Sequence, residues 1–140
     1  MSTLTDRPTA AGTAQPAAPV IDTPDQLHRV WGERFNAGDV DGLLALAEPG
    51  SAFAPQPGVV VTDEAYRQAL TGFVAMGLPI TLTPRRQVVH GDLALLVVDW
   101  RISGTTRTGD VVELAGTTAD VARRGAHGWR FAIDNPFGTA

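Results

Sequence analysis

The chain has no cysteine and, among its 140 residues, no lysine. The first absence excludes a disulfide framework, a thiolate metal site and a thiol nucleophile. The second excludes Schiff-base catalysis and a P-loop lysine. Any chemistry therefore falls to Asp, Glu, His, Tyr and Arg. Aromatic residues make up only 6%, with a single tyrosine. Positive charge is also sparse: 11 basic residues, all arginine, stand against 15 acidic ones, for a net charge of -4. Binding a polyanion needs clustered positive charge, so nucleic acid is not an expected partner. No run approaches the roughly 18 apolar residues of a membrane span. Residues 1–20 lack a basic start and an apolar stretch, so we expect no signal peptide, no membrane partner and a cytoplasmic location. What is present, 44% hydrophobic and 19% charged residues in 14.7 kDa, suits one domain with its own core.

Residues 1–21 are rich in Thr, Ala and Pro and hold almost no large apolar side chain. Such a segment cannot offset its ordering entropy, and it reads as a disordered tail before a single domain over 22–140. The domain opens at Asp22-Thr23-Pro24, where Asp22 or Thr23 can cap a helix carrying Leu27, Val30, Trp31 and Phe35 at helical spacing. Asp39 caps a shorter helix through Leu43, Leu44 and Leu46, stopped at Pro49-Gly50. Two extended pieces follow, at Ala52-Phe53-Ala54 and Val59-Val60-Val61, split by Pro55-Gln56-Pro57-Gly58. Thr62 or Asp63 then caps a third helix, with Tyr66, Ala69, Leu70, Phe73 and Val74 three and four apart. From Ile80 the pattern becomes that of strands, at 80–89, 93–103, 111–123 and 129–133. The order α-α-β-β-α-β-β-β-β lacks the crossover helices that a parallel sheet needs, so the class is α+β, with an antiparallel sheet.

Curving that sheet around the first and third helices gives a cone with an apolar lining. At this order of elements the chain resembles the nuclear transport factor 2-like superfamily, which includes ketosteroid isomerase, limonene epoxide hydrolase and SnoaL-type polyketide cyclases. The resemblance rests on Trp31 through Leu46, the Pro55-Gln56-Pro57-Gly58 turn, Gly91 to Leu96, and Gly128-Trp129-Arg130-Phe131 leading to Asp134-Asn135-Pro136. It points most closely to the SnoaL-like branch that includes the SgcJ-type accessory proteins of natural-product clusters. It implies a cone-shaped curved sheet around three helices, no cofactor, and a small hydrophobic molecule, such as a polyketide intermediate, as ligand. A binding or accessory protein without turnover fits the same fold, as does a pure assembly module.

The candidate site residues come from strand alternation and helix faces. Leu114, Gly116, Thr118 and Asp120 share one side of their strand, so Asp120 extends an otherwise uncharged row. A carboxyl on an apolar wall resists ionisation and can serve as a general acid or an oxyanion donor. The resemblance places Asp120 where ketosteroid isomerase has its protonated aspartate. A rim position paired with Arg123, Arg124 or Arg130 is the alternative. Asp99 interrupts the apolar run Leu93 to Trp100 and can either join the chemistry or pair with Arg101, two residues away. The resemblance sets Asp99 near a catalytic aspartate of limonene epoxide hydrolase, whose arginine is replaced here by Val97. It also sets Gln56 where ketosteroid isomerase carries its base, and glutamine accepts no proton near neutral pH. Gln56 and Asn135 are then candidates to orient a ligand carbonyl, and Asn135 can alternatively fix the turn at Asp134-Asn135-Pro136. Alternation places Trp129, Phe131, Ile133 and Asn135 on one face, with Asp134 directed elsewhere. Trp31, Phe35, Phe53, Tyr66, Phe73 and Trp100 are core residues, and those bordering a cavity are candidate ligand contacts. His28, His90 and His127 lack paired ligand spacing, so no metal is expected. The strand face carrying Val111, Ala115, Ala119 and Val121 is more apolar than solvent exposure would favour, which leads us to expect a homodimer.

Overall fold

The computed structural model describes residues 20–140. The tail expected over 1–21 lies outside these residues except for its last two. Of those, Ile21 is buried, pairs in parallel with Gly128 and accepts the Trp129 N–H at 2.9 Å. The chain therefore joins the core slightly before the expected boundary, through an apolar side chain that composition-based reading assigned to the tail.

Three helices form: α1 (Asp25–Asn36), α2 (Val40–Leu44) and α3 (Asp63–Ala75); the second ends two residues before the expected Leu46, and Pro49-Gly50, expected to stop it, lie within the strand that follows. In α1, Leu27 and Phe35 are buried, with Val30 and Trp31 packed beside them. Its N-cap is Pro24, without a side-chain cap; Gln26 accepts the Asp22 N–H instead. Asp39 caps α2 as its position suggests, accepting the Gly42 N–H at 2.9 Å. At the other end of α1, the Asn36 amide exchanges two hydrogen bonds with the backbone of Ile80, at 2.8 and 3.2 Å. That pair pins the helix to the start of the strand region.

Seven strands follow or interleave: β1 (Ala47–Gln56), β2 (Val59–Val61), β3 (Ile80–His90), β4 (Leu93–Thr105), β5 (Val111–Thr117), β6 (Asp120–Gly125) and β7 (Gly128–Asp134). They form one sheet in the order β2-β1-β7-β6-β4-β3, with β5 also paired to β4. All pairings are antiparallel except β1 with β7. The α+β class and the cone expected from the sequence hold: this is a curved open sheet around three helices. Its core runs through Leu27, Leu70, Ile102, Ala122 and Phe131.

Two features of register shape the site, and both depart from the expectation. The single strand read over 111–123 is two strands. The first half of β4 pairs with β6 and the second half with β5, and the switch falls at Thr118. There the Thr118 N–H donates to Val98 O at 2.8 Å, while the Thr118 Oγ1 accepts the Val98 N–H at 3.0 Å. A side chain thus replaces a missing backbone acceptor, and the sheet bends without leaving a buried donor unpaired. The second feature is a one-residue bulge in β7. Val121 pairs with Ile133 while the next residue, Ala122, pairs with Phe131. Beyond Phe131 the alternation inverts: Ile133 turns out to 44% exposure and Asp134 turns in. The expectation that Ile133 and Asn135 face inward and Asp134 elsewhere is corrected by this extra residue.

A glycine lets β5 pass close to the Trp100 ring. A Cβ on Gly116 would come within 2.8 Å of the Trp100 indole nitrogen. Its absence lets that N–H reach Pro136 O.

Candidate functional site

The helices and the sheet enclose a cavity offering about 50 Å³ to the centres of water molecules. At roughly 10–15 Å³ of such space per water, it has room for about four waters, or one six-membered ring. Helix α1 contributes Trp31 and Phe35 and α3 contributes Phe73; β1 and β4 add Phe53 and Trp100. Trp31 and Phe35 stack with ring centres 5.2 Å apart. The remaining wall is apolar except for a small polar group made of His28, Thr118, Asp120 and Asp134.

Asp120 is fully buried. Its Oδ2 lies 2.7 Å from His28 Nε2, and its Oδ1 accepts the Asn135 N–H at 2.7 Å. The alternative of a rim position is excluded by this burial, and two of the three arginines suggested as partners are engaged elsewhere: Arg123 with Glu48 and Arg124 with Asp92. His28 is brought to Asp120 by helical spacing, since His28, Trp31 and Phe35 lie three and four residues apart on one face of α1. Its ring also packs edge-on against Phe131, with centres 5.2 Å apart.

The bulge places a second carboxyl beside the first. Asp134 is buried at the end of β7 and accepts from the Tyr66 hydroxyl at 3.4 Å. Burial pushes the Asp134 carboxyl well above the usual carboxylate range, and the negative charge on Asp120 pushes it further. Tyr66 stacks on Phe53 with ring centres 4.8 Å apart. Burial and the Asp134 carboxyl raise the Tyr66 hydroxyl far above its ordinary value, which keeps it protonated.

The other expected residues fall outside this group. Asp99 projects from the outer face of the sheet, where it accepts from Thr117 Oγ1 at 2.6 Å and pairs with Arg85 at 3.6 Å. Strand alternation puts Trp100 and Val98 inside and Asp99 outside, so the reading of Asp99 as a catalytic group is corrected. Its expected partner Arg101 pairs with Glu113 instead. Gln56 ends β1 exposed to solvent, and the reading of it as a ligand contact is corrected likewise. Tyr66 stands behind the cavity wall rather than in it. The Asn135 amide donates to Gly138 O at 3.0 Å, the turn-fixing alternative, while its backbone N–H serves Asp120. His28 and Asp134 are the residues that sequence reasoning missed. The first was visible in its spacing to Trp31 and Phe35; the second depends on a bulge that leaves no mark in the hydrophobic pattern.

Chemically, the arrangement resembles an oriented acid–base pair. With the imidazole in its neutral form, Asp120 holds the Nε2–H tautomer and leaves Nδ1 as a proton acceptor. Asp134 supplies a protonated carboxyl that can donate to developing negative charge. No group of three or more His, Asp or Glu among the described residues is placed to hold a metal. No described helix is long and apolar enough to cross a membrane.

A conical α+β domain with an apolar interior and a buried polar group on one wall is a recurrent small-ligand architecture. The family model for the SnoaL-like domain matches residues 28–135, and the chain belongs to that family. No curated protein matches it. Among solved structures it is similar to a candidate scytalone dehydratase from Novosphingobium aromaticivorans DSM 12444. That match has a TM-score of 0.69 at 15% identity and covers 79% of this chain and 77% of that one. It is also similar to a candidate calcium/calmodulin-dependent protein kinase type II association domain from Thiobacillus denitrificans ATCC 25259, at 0.68 and 18%, covering 84% and 95%. A third is a ketosteroid isomerase-like protein from Erwinia carotovora atroseptica SCRI1043, at 0.64 and 15%, covering 79% and 88%. At these identities the likeness establishes the fold.

Proposed function

We propose that the chain binds a small hydrophobic, carbonyl-bearing metabolite in the cavity and performs cofactor-free acid–base chemistry on it: cyclisation, isomerisation or hydration. The observation that carries this reading is the buried His28–Asp120 pair, 2.7 Å apart, with Asp134 beside it on the wall of an otherwise apolar cavity. His28 takes a proton from the carbon next to the ligand carbonyl, and Asp120 fixes and stabilises the imidazolium that results. Asp134 donates a hydrogen bond to the enolate oxygen. Returning the proton to another carbon completes an isomerisation. The role of proton-holding acid, expected at Asp120, passes in this reading to Asp134, because both Asp120 oxygens are engaged, Oδ1 by the Asn135 N–H and Oδ2 by His28.

A generic probe tests the proposal: base-catalysed exchange of the α-protons of cyclohexanone in D2O, followed by NMR. The wild-type chain should accelerate exchange, and His28→Ala and Asp120→Asn should lose the acceleration. Exchange at the buffer rate in the wild type would refute turnover of this kind.

The second reading is a binding or accessory protein without turnover, within the SgcJ-type branch. It is favoured by the engagement of Asp120 with His28 and Asn135, which leaves few polar atoms free to meet a ligand. It predicts that native mass spectrometry of freshly purified protein detects a retained, chemically unchanged small molecule. We propose also that the chain is a homodimer. On the outer sheet face, Val88, Leu95, Val121, Ile133 and Ala52 are successive cross-strand partners over five strands and form one apolar row. Val111 and Ala115, at the edge of that face, are exposed in the single chain and extend the apolar surface.

A further inference from the structure

We propose that the ligand of this site is elongated: one ring or short chain fills the chamber, and an uncharged hydrogen-bonding tail runs past His28 into a second compartment, where Gln87 holds it. The inference deepens the reading above and rests on the chamber being the ligand site. The chamber offers the centres of water molecules only about 50 Å³, whereas small-molecule pockets commonly run to roughly 300–1,000 Å³. A ligand confined there is a single ring. By the same measure a neighbouring cleft adds about 300 Å³, and His28 borders both spaces.

The two spaces are successive stretches of one trough, with α1 as its wall and β3 and β4 as its floor. On β4 the chamber takes Ile102 and Trp100 and the cleft takes Val98 and Leu96, which are consecutive inward-facing positions. On β3 the order is Ile80 and Leu82, then Pro84 and Gln87. On α1 it is Phe35 and Trp31, then His28 and Asp25. The trough is closed where Asn36 pins α1 to Ile80, and it is narrow at Gly32, where an added Cβ would sit 3.1 Å from Leu82 Cδ1. It opens toward Asp25 and Gln87, both exposed. At the junction, His28 is held by Asp120 and packs on Phe131, so a ligand that spans both spaces passes the imidazole.

A bulge decides what the cleft presents to that ligand. Pro84 pairs with Val98 and Arg86 with Val97, which leaves Arg85 as an extra residue. Without it, the alternation of Ile80, Leu82 and Pro84 would turn Arg86 inward; with it, Gln87 faces in opposite Leu96, and Arg86 takes the outward phase of Val97. Arg85 and Arg86 border the cleft where the strand bulges, and Arg85 reaches Asp99 on the outer face. The inner face thus offers an amide, which both donates and accepts, in place of a guanidinium. With the Asp25 carboxylate on the facing wall, an anionic tail is disfavoured and a neutral amide or hydroxyl is matched.

The test compares three ketones by amide NMR titration of the full-length chain: cyclohexanone, cyclohexanone carrying a butanamide chain at the carbon beside the carbonyl, and the same compound ending in a carboxylate. The methylenes of that chain cover the rise of about 4.5 Å from His28 to Asp25 along α1. The amide probe should bind at least about tenfold more tightly than cyclohexanone, because the chain buries further methylenes, and more tightly than the carboxylate. It should shift the Gln87 side-chain NH2 as well as the Trp31 and Trp100 indole N–H signals. Gln87→Trp fills the cleft and should bring the amide probe to the affinity of cyclohexanone. Equal wild-type affinities for those two probes, or a bound amide probe that leaves the Gln87 NH2 unmoved, would overturn the second compartment. Tighter binding of the carboxylate would overturn the uncharged tail. If cyclohexanone binds and its longer analogues do not, the chamber reading stands and this inference falls. If none of the three binds, the chamber is not the ligand site and both fall together.

Discussion

Replacing Asp134 by asparagine should make the protein more stable at neutral pH and flatten its pH profile. In the folded chain the Asp134 carboxyl holds its proton far above the ordinary value of 3.8, because burial and the Asp120 charge both disfavour its ionised form. In the unfolded chain it ionises near that ordinary value. Between the two values the folded state binds one proton more than the unfolded state, so stability falls as pH rises, by up to about 1.4 kcal/mol per pH unit for one proton. The contribution is fully present below the unfolded value and is lost progressively up to the folded one. Asparagine reproduces the protonated form: its NH2 can donate toward Asp120 and its oxygen can accept from Tyr66, with nothing left to titrate. The variant should match the wild type at acidic pH and exceed it increasingly toward neutrality. Urea unfolding at several pH values between about 4 and 8 measures this, with an unchanged m-value confirming that the difference lies in stability. Asp134 is the one titratable group that differs between the two proteins, so the difference reports on it. Parallel profiles across the whole range would refute the raised proton affinity of this residue.

His28→Ala leaves Asp120 Oδ2 buried without its partner and should cost roughly 3–5 kcal/mol, read from urea midpoints, far more than removal of a surface histidine. Thr118→Val keeps the shape but leaves the Val98 N–H unpaired where the sheet bends; a loss of about 1–3 kcal/mol is expected by the same measurement. Asp99→Ala removes a half-exposed group on the outer face. It should cost less than about 1 kcal/mol and leave cyclohexanone exchange at the wild-type rate. Leu95→Glu places a charge in the middle of the outer apolar row, and light scattering should then show a monomer where the wild type is a dimer; a wild type that is monomeric at micromolar concentration would contradict the proposed interface.

Much of the fold was legible because its signals are periodic. The three-and-four spacing of Leu27, Trp31 and Phe35 and of Tyr66, Leu70 and Phe73 defines two helix faces, and the short turns after His90 and Gly125 force antiparallel neighbours. The inward face of Asp120 was legible for a related reason. Alternation runs from Gly116 through Thr118 to Asp120 without interruption, even though the pairing partner changes at Thr118. The two strands are separate, but the phase is shared.

The site was less legible, for reasons that differ by residue. In Phe131-Ala132-Ile133-Asp134 both phases offer an apolar residue to the core, so a single extra residue shifts Asp134 inward at no visible cost to the pattern. Only the pairing with β6 reveals it. Asp99 lies in a strand apolar on both faces, where hydrophobicity assigns no side; the informative neighbour was Arg101, a charged residue sharing its phase and needing water. His28 carried a readable signal, since it stands three residues before Trp31 on the core face of α1. Metal-ligand spacing does not reveal a histidine of this kind. A lone buried histidine needs a partner for its ring nitrogens, and in a chain without lysine or cysteine the inward-facing carboxyl of Asp120 was the strongest one available. The pairing of those two residues follows from asking how each buried polar group is satisfied, a question that links helix phase to strand phase across 92 positions of sequence.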